Sequence, residues 1–209
     1  MFQSRTEAGQ KLAEEIKKQL PNLNPNNFLI LALPRGGVVV GSEVAKALKI
    51  PFDIIIVRKI GHPTNPEYAI GAVGESGKIE IKKRGINKNY LKKVLEAEKK
   101  EIQRRSKEYR GTKKSSEVGG KIIVLIDDGL ATGLTMKVAI KEVKEKNPQK
   151  IIIAMPVAPK ESINELKKEV DQVICLEVPE FFTAVSSSYT TFEQVTDQEV
   201  IEALKCSNN

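Results

Sequence analysis

Five short apolar runs, at 28–33, 53–57, 121–126, 150–156 and 172–176, are rich in β-branched residues and too short for helices. Helical patterns lie between them at 38–48, 134–146 and 161–169, each closing near lysines that suit the negative end of a helix dipole. A strand that is apolar at every position has both faces covered, so this alternation predicts βαβ units around a parallel sheet flanked by helices, an α/β fold. One more helix is expected at 6–19, stopping before Pro21. At 209 residues the chain fits a single domain spanning 1–209.

Charge is distributed unevenly. The chain carries 34 Lys and Arg against 27 Asp and Glu, a net charge of +7. Residues 78–114 hold fifteen of those bases and five of the acids, a local excess of +10 that leaves the remainder at −3. The stretch reads as an insertion at about 74–114. A hairpin near 69–81 turns at Gly74-Glu75-Ser76-Gly77, and a basic helix follows from Lys88 to Tyr109, with Leu91, Val94, Leu95 and Ile102 on one stripe. That stripe serves either the chain's own core or a partner subunit. Two cysteines, Cys175 and Cys206, make a poor disulfide framework, and one histidine, His62, cannot build a four-ligand His/Cys zinc site. No apolar run nears the roughly 20 residues a bilayer span needs, and the polar first ten residues have no signal-like apolar stretch, so a cytoplasmic protein with no membrane partner is expected.

The chemistry concentrates in 122–135, Ile-Ile-Val-Leu-Ile-Asp-Asp-Gly-Leu-Ala-Thr-Gly-Leu-Thr. A buried strand delivers Asp127 and Asp128 to its C-terminal end, where open α/β sheets bind ligands. The turn through Gly129, Ala131, Thr132, Gly133, Leu134 and Thr135 offers backbone N–H groups, two hydroxyls and a helix N-terminus, an anion site suited to a phosphomonoester. Two carboxylates would repel that phosphate unless something lay between. A ribose diol, with two O–H donors for the carboxylates, fills the gap. A Walker loop is excluded because Gly133 is followed by Leu134 and Thr135 without lysine, and no Gly-x-Gly-x-x-Gly or Gly-x-Ser-x-Gly is present.

The 127–135 string after an apolar strand resembles the signature of type I phosphoribosyltransferases, whose donor is 5-phosphoribosyl-1-pyrophosphate (PRPP). The resemblance implies a parallel sheet with a small hood, here at about 177–209. Leu33-Pro34-Arg35-Gly36-Gly37 resembles the family's pyrophosphate loop, which implies Arg35, Gly36 and Gly37 facing the leaving group and a cis peptide between Pro34 and Arg35. Residues 58–71, from Arg58-Lys59 through Gly61-His62-Pro63, resemble the mobile loop that closes over the site in purine-type members, with His62 a loop residue and not a catalyst. Val178-Pro179-Glu180-Phe181-Phe182, Tyr189 and the segment around Phe192 are similar to a subgroup of bacterial and archaeal phosphoribosyltransferases whose acceptor is not established. Phe181, Phe182 and Tyr189 serve either as an aromatic wall for a planar base or as core.

The resemblance implies transfer of the phosphoribosyl group to a nitrogenous base or related amine with release of pyrophosphate. Arg35, Arg58, Lys59, Asp127 and Asp128 are then the catalytic set, a Mg²⁺ cofactor is held mainly by substrate with no protein-only metal site, and the assembly is a homodimer. A rival of another class is a regulatory protein that senses PRPP or a nucleotide and binds nucleic acid through 78–114. The scarcity of aromatics interleaved with those lysines counts against it.

Overall fold

The structure, a computed structural model, describes residues 1–82 and 86–206, and only the backbone of Pro66 and Glu67. Lys83 and Arg84 of the basic stretch, Glu67 of the expected lid and 207–209 of the expected hood therefore lie outside the described residues or side chains. In chain order the elements are α1 (Arg5–Gln19), β1 (Phe28–Ala32), α2 (Gly36–Leu48), β2 (Phe52–Ile54), β3 (Val57–His62), β4 (Asn65–Gly74) and β5 (Ile79–Ile81). Then follow α3 (Lys88–Arg110), β6 (Ile122–Ile126), α4 (Leu134–Lys144), β7 (Lys150–Val157), α5 (Lys160–Leu166), β8 (Gln172–Glu177) and α6 (Asp197–Cys206).

The five apolar runs form one parallel sheet in the order β2-β1-β6-β7-β8. Period-two alternation explains their uninterrupted apolarity. Ile30, Ala32, Val124, Ile126, Ile152 and Ala154 face Leu12 and Ile16 of α1, Val44 of α2, Ile102 of α3 and Val200 of α6. Leu29, Leu31, Ile123, Leu125, Ile151 and Ile153 face Val138, Ile140 and Val143 of α4 and Leu166 of α5.

A second, antiparallel sheet has the order β3-β4-β5. The expected hairpin at 69–81 is present, with Gly77 at φ +89 in its turn. The expected loop at 58–71 is instead largely β3 and β4. Its pairing is irregular, shifting register on either side of Gly61, which is why Gly and Pro in this stretch read as loop.

On α3, Ile102 is buried in the core, and the Leu91, Val94 and Leu95 side chains pack against it while staying partly exposed. Several bases of the +10 stretch are spent internally. Arg104 pairs with Glu101, Glu108 and Asp197, Arg105 with Glu101, and Lys78 with Glu145. Arg110, buried, donates to the Ile54 carbonyl at 2.6 Å and pairs with Asp53 and Glu75. Among the described residues no helix is long and apolar enough to cross a membrane.

Candidate active site

At the C-terminal end of β6 the chain leaves the sheet with Asp127 and Asp128, then turns into α4. Gly133 takes the left-handed conformation, φ +68, that lets the chain enter the helix immediately. Ala131 and Thr132 are exposed, whereas Leu134 is buried beneath them, so the expected ligand-facing role of Leu134 is not met by an exposed group. The turn is braced from below: Leu130 N–H donates to the Val157 carbonyl at 2.9 Å, and Ser162 Oγ donates to the Ala131 carbonyl at 2.8 Å. An exposed turn with a fixed backbone at a helix N-terminus can hold an anion without reorganising.

The carboxylates are not equivalent. Asp127 Oδ1 accepts the Asp128 N–H at 2.9 Å. Burial, with the Asp128 charge beside it, pushes the Asp127 carboxyl well above the ordinary carboxylate range. Asp128 instead meets Arg5, whose Nε donates to Oδ2 at 2.6 Å with both side chains mostly buried. Arg5 also donates to the Glu193 carbonyl at 2.7 Å, and its guanidinium lies 3.7 Å over the Phe192 ring. Tyr189 Oη donates to the Asp128 carbonyl at 2.6 Å. Sequence reasoning points to neither Arg5 nor Glu193. The Arg5 pairing crosses 123 positions and has no local spacing to reveal it.

The Leu33–Gly37 turn sits against these carboxylates. Leu33 N–H donates to the Ile126 carbonyl at 2.9 Å, and the Pro34–Arg35 peptide is cis. A Cβ built on Gly36 would overlap the Asp128 carboxylate and lie 3.0 Å from Arg5 Nε. One on Gly37 would lie 2.8 Å from Asp127 Cα and 2.9 Å from the Ile126 carbonyl oxygen. Gly37 is therefore needed for the two backbone turns to touch, and Gly36 for the Asp128 carboxylate to keep its place. Arg35 extends toward α6, with Nη1 3.6 Å from Asp197 Oδ1. The same carboxylate accepts Tyr109 Oη at 2.6 Å and pairs with Arg104, and these contacts, the Tyr109 hydrogen bond foremost, hold it below the usual carboxylate range.

Arg58 does not join this group. Its Nε donates to Glu98 Oε2 of α3 at 2.8 Å, a strut between hairpin and helix. Lys59, half-buried, follows it in β3, where successive side chains alternate faces. His62 contacts Thr64 Oγ1 at 2.9 Å in the hairpin turn. The aromatic trio is also divided. Tyr189 is buried between Phe2 and Phe192, at ring-centroid distances of 5.4 and 5.0 Å, as core. Phe181, 90% exposed, and Phe182 line a groove of about 1020 Å³ with Lys160, Asn164 and Lys167.

Among the described residues no group of three or more His, Cys, Asp or Glu is placed to hold a metal. The hard oxygens of Asp127 and Asp128 suit Mg²⁺ only as part of a set that a ligand would supply.

Comparison with known proteins agrees with this architecture. The model of the phosphoribosyl transferase domain matches residues 3–190. The crystal structure of TT1426 from Thermus thermophilus is 37% identical, with a TM-score of 0.80 over 97% of either chain. Rv0571c of Mycobacterium tuberculosis, a protein assigned as a phosphoribosyl transferase, is 36% identical over 98% of this chain and 46% of its own length. The chain thus spans about half the length of the curated relatives it matches. A hypoxanthine phosphoribosyltransferase from Staphylococcus aureus shares the fold at 15% identity, with a TM-score of 0.50 over 85% of this chain and 76% of that one.

Proposed function

The chain belongs to the phosphoribosyl transferase family, and from that premise we propose that it is a Mg²⁺-dependent enzyme transferring the 5-phosphoribosyl group of PRPP to a nitrogenous base or related amine. The observation that carries the reading is the meeting of two turns. Gly36 lies against the Asp128 carboxylate and Gly37 against Asp127 Cα and the Ile126 carbonyl, so the glycine turn and the two acids meet at one end of the sheet, which supports assigning them to one donor site.

In this reading the amine nitrogen attacks C1 of the ribose, the bond from C1 to the pyrophosphate oxygen breaks, and the attacking nitrogen loses its proton to solvent. Thr132, Gly133 and Thr135 anchor the 5-phosphate, and Asp127 and Asp128 accept the ribose hydroxyls. Held at both ends, the sugar presents C1 in a fixed place, so positioning supplies much of the rate. Arg35, with the Gly36 and Gly37 N–H groups, faces the charge that grows on pyrophosphate. Mg²⁺, with Asp127 and Asp128 near it and most of its ligands from the donor, would neutralise part of that charge.

Lys59 on the β3–β4 hairpin acts after the donor has arrived. Lys59→Ala is expected to lower kcat by ~10-fold while changing the KM for PRPP less than threefold, as removal of a closure contact does; an unaltered kcat removes Lys59 from the mechanism. Arg58 is expected to act through Glu98 as a strut only.

The deciding experiment supplies PRPP and Mg²⁺ with a panel of purines, pyrimidines and other amines and follows pyrophosphate release. Turnover with one acceptor class establishes the transferase. No PRPP binding by calorimetry overturns the reading, and tight binding with no turnover across the panel favours the sensing role. The internal pairing of Lys78, Arg104, Arg105 and Arg110 leaves fewer charges for a polyanion and supports the enzyme over the nucleic-acid rival.

A further inference from the structure

We infer that Arg5 is a positioning residue for PRPP, holding Asp128 by one oxygen and so tying the donor site to the docked C-terminal segment. The inference rests on the donor reading above.

Asp128 is fixed from three sides. Its N–H donates to Asp127, its carbonyl accepts from Tyr189, and its Oδ2 accepts from Arg5. The Asp128 carboxyl also lies within hydrogen-bonding reach of the Asp127 carboxyl, and Oδ1 is the oxygen assigned to a ribose hydroxyl. The Arg5–Asp128 contact is charge-assisted and largely withdrawn from water, with side-chain exposures of 11% and 14%, so it is short, directional and weakly screened. A carboxylate with a free torsion would spend rotamer entropy on binding a diol. One already clamped does not.

Arg5 is in turn held by its own helix cap and by residues remote in sequence. Ser4 caps α1, its Oγ accepting the Glu7 N–H at 3.3 Å, which sets the first turn from which Arg5 projects. The Phe192 face and the Glu193 carbonyl fix the guanidinium. Backbone bonds then stitch the two chain ends together: Phe2 N–H to the Ser188 carbonyl, Thr190 N–H to Phe2, and Thr191 N–H to Gln3, at 2.8, 2.8 and 3.0 Å. The C-terminal segment therefore reaches Asp128 through Arg5.

Asp127 and Asp128 stand beside each other where a polyanionic donor must land. Arg5 cancels one of those charges within hydrogen-bond distance, lowering the repulsion that the phosphates would meet.

A purely structural Arg5 would affect melting and leave the coupling to Asp128 without consequence for binding, so the test is a double-mutant cycle. PRPP with Mg²⁺ is titrated calorimetrically into the full chain as wild type, Arg5→Gln, Asp128→Asn and the double variant, with melting curves for each. Arg5→Gln is expected to weaken the Kd about tenfold or more, but by less than threefold when Asp128 is already Asn, because coupled neighbours are not additive. Wild-type affinity in Arg5→Gln, or losses that multiply in the double variant, overturns the inference while the donor reading stands. Failure of the wild type to bind PRPP overturns both. Arg5→Lys keeps the charge but cannot span Asp128 and the Glu193 carbonyl; it is expected to lose less than Arg5→Gln, and it completes the cycle if Arg5→Gln does not fold.

Discussion

Asp127→Asn is expected to melt at a higher temperature than the parent at pH 8 and, at the same time, to lose PRPP binding by roughly 10- to 100-fold, the scale of a hydrogen bond to a charged group. The Asp127 carboxyl titrates well above its ordinary value because it is buried beside Asp128. In the unfolded chain it titrates near the usual carboxylate value of about 3.9. Below that value the group is neutral in both states and burial is harmless. As pH rises through the folded value, the native state must carry a buried anion that the unfolded state solvates freely, and stability is lost. Asparagine is neutral throughout, and its Oδ1 can still accept the Asp128 N–H. The melting curves of the two proteins should therefore coincide near pH 3.5 and separate as the pH rises. Each unit of pKa elevation relieved corresponds to about 1.4 kcal/mol, or roughly 3–6 °C at this chain length. Differential scanning calorimetry from about pH 3.5 to 8, paired with PRPP titrations, checks both halves. A lower melting temperature at pH 8 contradicts the burial argument, and an unchanged affinity contradicts the diol argument.

Such a trade of stability for binding marks the kind of site that one sequence can reveal. Asp127 and Asp128 were legible because of the string around them, an apolar strand before and a small-residue turn into a helix after; an isolated pair of acids at a strand end reads equally well as a helix cap. The parallel sheet was legible for a related reason: Leu29 and Ile30, or Ile123 and Val124, face opposite cores, and only burial on both sides tolerates such runs. What stayed hidden depends on single side chains meeting across the fold. Arg5 and Asp128, or Arg35 and Asp197, have no periodicity in common. Nor could sequence tell the exposed Phe181 from the buried Tyr189, because the difference lies in whether Phe2 and Phe192 cover the ring. The β3–β4 hairpin was missed because its pairing is a matter of backbone bonds around a bulge at Gly61, while its side chains carry loop composition. The basic stretch misled in the opposite sense, since a count of charges does not show that Arg104, Arg105 and Arg110 are held by acids of the same chain.

The contact between the two turns makes Gly36→Ala and Gly37→Ala diverge. Both positions open α2, where alanine is favoured over glycine by up to about 1 kcal/mol. At Gly36 the added methyl meets the Asp128 carboxylate, a side chain that can swing aside. Swinging breaks the largely buried Arg5 contact, which offsets the gain in helix propensity, and misplaces the diol acceptor, so Gly36→Ala is expected to lose less stability than Gly37→Ala yet lose PRPP affinity by ~100-fold. At Gly37 the methyl meets Asp127 Cα and the Ile126 carbonyl oxygen, backbone atoms at the end of β6. Ile126 pairs with Ala32 on one side and Ala154 on the other, so neither atom can yield without disturbing the central ladder. Overpacking of that kind costs about 1–3 kcal/mol and exceeds the gain in helix propensity. Gly37→Ala should thus lose both stability and binding. Urea unfolding and PRPP titration of the two variants separate the cases. A Gly37→Ala protein as stable as the wild type, or a Gly36→Ala protein that binds PRPP normally, would show that the two turns do not meet as closely as their glycines require.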